Sequence, residues 1–97
     1  MPASLSPEVE SKLTLLFSPD ERNEARTVIE QCGKKIQGFN AEDVYRLQCA
    51  VLKLSDGKVW MLRRAIDLAK IDFRDVLMAA DFGDTSAHMS WWPEKKW

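Results

Sequence analysis

In residues 41–55, AEDVYRLQCAVLKLS, nine of the fifteen side chains are apolar. In helical register, the apolar side chains fall on two adjacent stripes: Val44, Leu47, Val51 and Leu54 on one, and Tyr45, Cys49 and Leu52 on the other. A helix that is apolar over so wide an arc is surrounded by other elements. We therefore predict that this segment is a helix at the centre of the fold.

Two Ser-Pro pairs upstream of this segment are typical of helix starts. Ser is a favoured N-cap, and Pro suits the first helical position because its missing N–H has no intrahelical partner there. Ser6-Pro7 predicts a helix over about 7–17, and Ser18-Pro19 predicts a second that runs to about Cys32. Glu21 adds the spacing of a capping box to Ser18. Gly33 is the expected left-handed end of this second helix.

The remaining helix boundaries are predicted from the same kinds of signal. Asn40 is the expected N-cap of the central helix, and Asp56-Gly57 its end. Three further helices follow, over about 58–70, 73–82 and 87–91. Asp72 caps the first turn of the 73–82 helix, and Gly83 closes it. No segment alternates with a period of two residues, so no strand is predicted. We expect an all-α, compact single-domain bundle of five or six short helices over 1–97, with loose residues at the chain end.

Composition excludes several classes of protein. The chain has 97 residues, 45% of them hydrophobic, and a formal net charge of −1. A nucleic-acid footprint normally produces a strong basic excess, which this balance lacks. The N-terminus has no basic and apolar secretory signal, and no apolar run is long enough to cross a membrane. Cys32 and Cys49 show no disulfide framework or CxxC spacing. We predict a cytoplasmic protein with reduced thiols.

Residues 72–84, DFRDVLMAADFGD, contain Arg-Asp and Asp-Phe-Gly, which occur in the catalytic and metal-binding loops of protein kinases. A kinase also needs a glycine-rich loop, a lysine on a strand and two lobes, and this chain is too short for them. Asp75 lies only six residues before Asp81, so one helix would carry both. Helix capping by Asp72, the interaction of Asp75 with the helix dipole and the helix end at Gly83 explain the same residues. No kinase activity is predicted.

The central segment resembles a known group of proteins. Residues 47–83, LQCAVLKLSDGKVWMLRRAIDLAKIDFRDVLMAADFG, look like a family of small bacterial proteins of uncharacterised function. Residues 16–33, LFSPDERNEARTVIEQCG, and 87–93, AHMSWWP, are similar to the family's N-terminal region and tail. The resemblance implies a small all-helical domain and carries no activity, ligand or catalytic residue. At 33–39 this chain departs from the family, whose members tend to have a longer loop.

Four charged residues are candidates for binding a partner: Arg63, Arg64, Asp72 and Arg74. The favoured interpretation for Asp72 and Arg74 is a network at a helix start, and the alternative is a recognition site for an acidic partner. The basic residues of 58–74 also permit a nucleic-acid-binding interpretation. Asp67, Asp72 and Asp75 dilute that basic cluster, so nucleic acid ranks behind protein as a partner.

The C-terminal residues 90–97, SWWPEKKW, hold three of the four tryptophans. One interpretation is a lid, in which Trp91 and Trp92 cover the open side of the bundle and bury a large apolar area. The other is an exposed aromatic and basic segment that docks on a partner or a membrane surface. We favour the lid for Trp91 and Trp92 and leave Trp97 open, so all three remain candidate binding residues.

No catalytic, cofactor or metal site is predicted. Cys32 and Cys49 lie on apolar faces, and His88 lies near the chain end, without metal-ligand spacing. An enzyme ranks last and would need a pocket lined by His88 or a cysteine. The predicted function is a non-catalytic protein–protein interaction module with an unknown protein partner. It is supported by Met and Trp residues beyond what one core stripe needs: Trp60, Met61, Met78 and Met89.

Overall fold

Five helices account for most of the described chain. The computed structural model describes residues 6–35, 41–83 and 87–97, and of these the side chains of 31–35 and 41–43 are not described. The helices are α1 (Pro7–Leu16), α2 (Pro19–Lys35), α3 (Ala41–Ser55), α4 (Val59–Ala79) and α5 (Ala87–Ser90). No strand occurs among the described residues. The predicted all-α bundle is confirmed.

Helix α3 lies at the centre of the bundle, as its two apolar stripes predict. It contacts α1, α2, α4 and α5. Leu47, Val51 and Leu52 are each at most 1% exposed. Within the described residues, no helix combines the length and the apolar character needed to cross a membrane.

The first two helices begin where the Ser-Pro pairs predict. The Ser6 hydroxyl accepts a hydrogen bond from the Val9 amide at 3.3 Å, and α2 starts at Pro19. The predicted end of α2 at Gly33 is wrong, because the helix continues through this glycine to Lys35. Glycine lowers helix stability by only about 1 kcal/mol, so a helix can continue through a single glycine. Asn40 lies outside the described residues.

Helix α4 contains a break at Asp72, where two separate helices were predicted. Asp72 has φ −153° and ψ 98°, which is extended backbone inside an otherwise helical run. Its carboxylate accepts a hydrogen bond from the Arg74 amide at 3.0 Å, so the predicted capping role is confirmed. The two predicted helices form one element that changes direction at this residue.

The end of α4 differs from the prediction that Gly83 closes it. The helix ends at Ala79, and Asp81 takes the left-handed conformation with φ 66°. The Phe82 amide donates to the Leu77 carbonyl at 2.8 Å, and the Asp81 amide donates to the Met78 carbonyl at 3.0 Å. These two bonds form a Schellman motif. Aspartate can occupy the position that glycine usually fills because its short polar side chain tolerates this conformation.

Replacing Asp81 with glycine is expected to raise the free energy of unfolding by about 0.5–1 kcal/mol, since glycine adopts positive φ without steric strain. Urea denaturation of the wild-type chain and Asp81→Gly measures the difference. Asp81→Ala is the matched control and should be less stable than wild type, because alanine keeps the strain and lacks the polar side chain. If Asp81→Gly were less stable than wild type, the claim that the positive φ strains the backbone at Asp81 would be contradicted.

Candidate functional site

A buried lysine connects α1, α3 and α5. Lys12 is 0% exposed. Its Nζ donates hydrogen bonds to the Tyr45 hydroxyl at 3.2 Å, to the Cys49 sulfur at 3.5 Å and to the His88 carbonyl at 2.9 Å. A buried ammonium is stable only when hydrogen bonds replace its hydration shell, and these three acceptors supply that replacement.

Aromatic rings complete the surroundings of this ammonium. The Lys12 Nζ lies 5.3 Å from the ring centroid of Tyr45, 5.5 Å from Trp91 and 5.0 Å from Trp92. Each of these distances is within the range of a cation–π interaction. Lys12, Tyr45, Cys49, His88, Trp91 and Trp92 are called the lysine cluster below.

Acid–base properties of the lysine cluster follow from its burial. Burial raises the pKa of Tyr45, and the hydrogen bond that its hydroxyl donates to the Glu8 carboxylate raises this pKa further. Burial also raises the pKa of the Cys49 thiol, although the neighbouring Lys12 partly opposes the shift. Both groups are therefore held in the protonated form. A protonated thiol is a poor nucleophile, so the cluster is suited to stabilising the fold.

The sequence suggested that His88 lies near a loose chain end. In the structure it lies in the lysine cluster. It is 2% exposed, and its ring meets the Tyr45 ring edge-on at a centroid distance of 5.0 Å. The structure thus places His88 and Cys49, the residues that an enzyme hypothesis would need, around one lysine. The side chain of Cys32 lies outside the described residues. The hypothesis that the protein is not an enzyme stays a prediction.

The C-terminal tryptophans differ in burial. Trp91 is half-buried and packs against the core, with its ring 5.8 Å from that of Phe82. This placement agrees with the lid interpretation of Trp91. Trp92 remains 49% exposed although it lies over the Lys12 ammonium, and Trp97 is 47% exposed.

Lys96 and Trp97 attach to the end of α1 through specific contacts. The Trp97 indole Nε1 donates to the Thr14 carbonyl at 2.9 Å, and the Lys96 amide donates to the Leu15 carbonyl at 2.9 Å. These carbonyls have no acceptor role inside α1, because they belong to its last turn. Gly57, in the turn between α3 and α4, lies close to the same end of α1. A Cβ at this position would lie 2.8 Å from the Leu16 carbonyl oxygen, so the approach requires glycine.

The predicted basic cluster of 58–74 is partly neutralised in the fold. Arg63 forms an ion pair with Glu24 at 2.8 Å, and Lys70 lies 3.5 Å from Asp67. The Arg74 guanidinium lies 5.9 Å from the centroid of its neighbour Phe73. Two of the bases in this cluster therefore have a carboxylate beside them.

Arg64 differs from the other candidate cations. It is exposed, and its guanidinium forms no ion pair with the side chains that the structure describes, those of 6–30, 44–83 and 87–97. It lines a groove of about 420 Å³ beside α4, whose other walls are apolar: Leu54, Trp60, Met61, Ala65 and Leu68. The Arg64 guanidinium therefore lies among apolar side chains, without an ion pair to a described side chain.

The same side of α4 carries the most exposed apolar residues of the helix before its break. Trp60 is 56% exposed, Leu68 39% and Ile71 84%. With Arg64 and Asp67 they form what is called the outer face of α4 below. On the opposite side of the helix, Leu62, Ile66 and Ala69 are at most 3% exposed and fix α4 against the core.

No set of three or more His, Cys, Asp or Glu in the described part of the chain is arranged to hold a metal ion.

Comparison with protein-family models, curated proteins and solved structures finds no match to this chain, so the resemblance to small helical bacterial proteins stays a prediction.

Proposed function

We propose that this protein is a non-catalytic protein-interaction module and that the outer face of α4 is its docking surface. The observation that carries the proposal is the exposure of Trp60, Leu68 and Ile71 on one side of a single helix. Isolated exposed apolar residues are normal on a soluble protein, but a group of large ones beside a groove marks an interaction site. The free thiol of Cys49 suits a reducing compartment, which supports the cytoplasm as the location.

Energetics favour a protein partner for this surface. Fully burying an isoleucine or leucine side chain contributes about 1.5–3 kcal/mol, and tryptophan and arginine are the residues that most often dominate binding energy. Arg64 can add a charge-assisted hydrogen bond once the surrounding apolar groups exclude water. The buried inner side of α4 keeps these residues in place, so little ordering is needed on binding.

Nucleic acid receives less support as a partner. The ion pairs of Arg63 with Glu24 and of Lys70 with Asp67 place carboxylates among the bases of 58–74. Affinity for a phosphate backbone depends on cations that are not already paired with acids. At this surface the phosphates would meet the carboxylates of Glu24 and Asp67 as well as the bases.

Affinity capture from a lysate of the source cells tests the proposal with three baits: wild type, Leu68→Asp and Met89→Asp. We expect the wild-type bait to capture one protein in stoichiometric amount. An untagged copy of this chain counts as such a protein. Leu68→Asp should reduce its recovery about tenfold or more, because a carboxylate in an apolar contact costs several kcal/mol unless it is paired.

Met89→Asp is the matched control, since Met89 is 57% exposed on α5 and lies outside the outer face of α4. It should recover as much partner as wild type. Recovery of the partner by Leu68→Asp at the wild-type level, or no stoichiometric partner on any bait, would contradict the proposed docking surface.

A further inference from the structure

Four exposed residues of α4 form a regular stripe along the outer face. Trp60, Arg64, Asp67 and Ile71 follow one another at intervals of four, three and four residues. At about 100° per residue, these intervals place all four within an arc of about 60°. All four are exposed, and Trp60 and Ile71 at the two ends are 56% and 84% exposed.

The stripe has an order that is complementary to itself when reversed. Read along the helix it is apolar, positive, negative, apolar. In an antiparallel pair of identical helices with a two-fold axis midway between residues 64 and 67, Trp60 of one copy meets Ile71 of the other. Arg64 of each copy then meets Asp67 of the other, so each contact occurs twice, as two-fold symmetry requires.

We propose that the outer face of α4 binds the same face of a second copy of this chain in an antiparallel arrangement. The inference rests on the proposed function and names the partner of that surface. Two ion pairs between Arg64 and Asp67 would flank the symmetry axis. The Trp60 and Ile71 contacts lie at both ends of these pairs and restrict the access of water to them.

Existing contacts leave both charges available for such pairs. Arg64 has no ion pair among the described residues, and Asp67 has only the 3.5 Å contact with Lys70, in which its side chain is 73% exposed. An exposed pair of this kind contributes at most about 1 kcal/mol and is readily exchanged. The same geometry excludes the parallel pairing in register, because Arg64 would then face Arg64 and Asp67 would face Asp67.

A second copy fits the charges better than an acidic or a basic foreign helix. An acidic segment would pair with Arg64 but would place like charges against Asp67, and a basic segment would do the reverse. The length also fits, since the extended backbone at Asp72 ends the straight part of the helix directly after Ile71. The face is then about 17 Å long, which is three helical turns.

Charge reversal in solution tests this arrangement. Sedimentation equilibrium over a concentration series of the purified full chain should show a monomer–dimer equilibrium for wild type. Arg64→Asp and Asp67→Arg should each weaken the dimer at least about tenfold, because each places like charges opposite one another twice. An equimolar mixture of the two variants should restore dimers to within about threefold of the wild-type constant, since every cross-chain contact in the mixed pair joins opposite charges.

Lys58→Asp is the control for a change of charge alone, because Lys58 is exposed at the start of α4 and outside the stripe. It should dimerise like wild type, and circular dichroism should show that all variants are folded. Wild type that stays monomeric throughout, single variants that still dimerise, or a mixture that stays monomeric would overturn the proposal. A monomeric wild type that captures a different protein, lost in Leu68→Asp, would overturn this inference and leave the proposed function intact.

Discussion

Replacing Lys12 with alanine is expected to lower the free energy of unfolding by about 3–5 kcal/mol. The change removes a large, fully buried side chain, and the resulting cavity in a packed core accounts for most of the loss. It also removes the donor to the His88 carbonyl, and an unsatisfied buried acceptor costs about 1–3 kcal/mol. Chemical denaturation followed by circular dichroism measures the difference.

Two further variants separate the causes of this loss. Lys12→Met keeps the volume of the side chain and removes its hydrogen bonds, so it should be more stable than Lys12→Ala and less stable than wild type. Lys58→Ala removes an exposed lysine and should stay within about 0.5 kcal/mol of wild type. If Lys12→Ala were as stable as Lys58→Ala, the buried position of Lys12 would be refuted.

Replacing Trp91 with alanine is expected to cost about 3 kcal/mol, by the rule for large-to-small changes in a core. The indole packs on Phe82 and covers the Lys12 ammonium, so its removal opens the lysine cluster to solvent. The melting midpoint and the free energy of unfolding should both decrease. A shift of several degrees in the midpoint is expected for a domain of this size.

Trp60→Ala is the matched control for Trp91→Ala, because Trp60 is 56% exposed on the outer face of α4. In monomeric, dilute protein it should change the free energy of unfolding by less than about 1 kcal/mol. An unchanged melting midpoint in Trp91→Ala would contradict the lid and would support an exposed binding role for the C-terminal tryptophans.

Much of the fold could be predicted because its signals are local. Ser6-Pro7 and Ser18-Pro19 mark helix starts through requirements of the first turn, which involve only neighbouring residues. The break at Asp72 was predicted for the same reason, since its carboxylate caps an amide two residues away. The end of α4 was misplaced because Asp81 and Gly83 can both end a helix, and the choice depends on how Phe82 packs.

The lysine cluster could not be predicted from any window of sequence. Lys12 and the His88 carbonyl are 76 residues apart, and lysine is rarely buried. One signal was available: Lys12 follows Val9 by three residues and precedes Leu16 by four, so it borders the apolar stripe of α1. That position indicates burial only if acceptors exist on another helix, which the sequence does not show.

The candidate site shows the same division. The charges and apolar residues of the outer face of α4, and their spacing along one helix, were determined by the sequence itself, because helical periodicity depends on the chain order alone. Tertiary structure decided which of those residues stay exposed, which cations are paired with acids and where the tryptophans of 91–97 lie. These properties arise from contacts between distant helices, and the backbone geometry of each helix leaves them open.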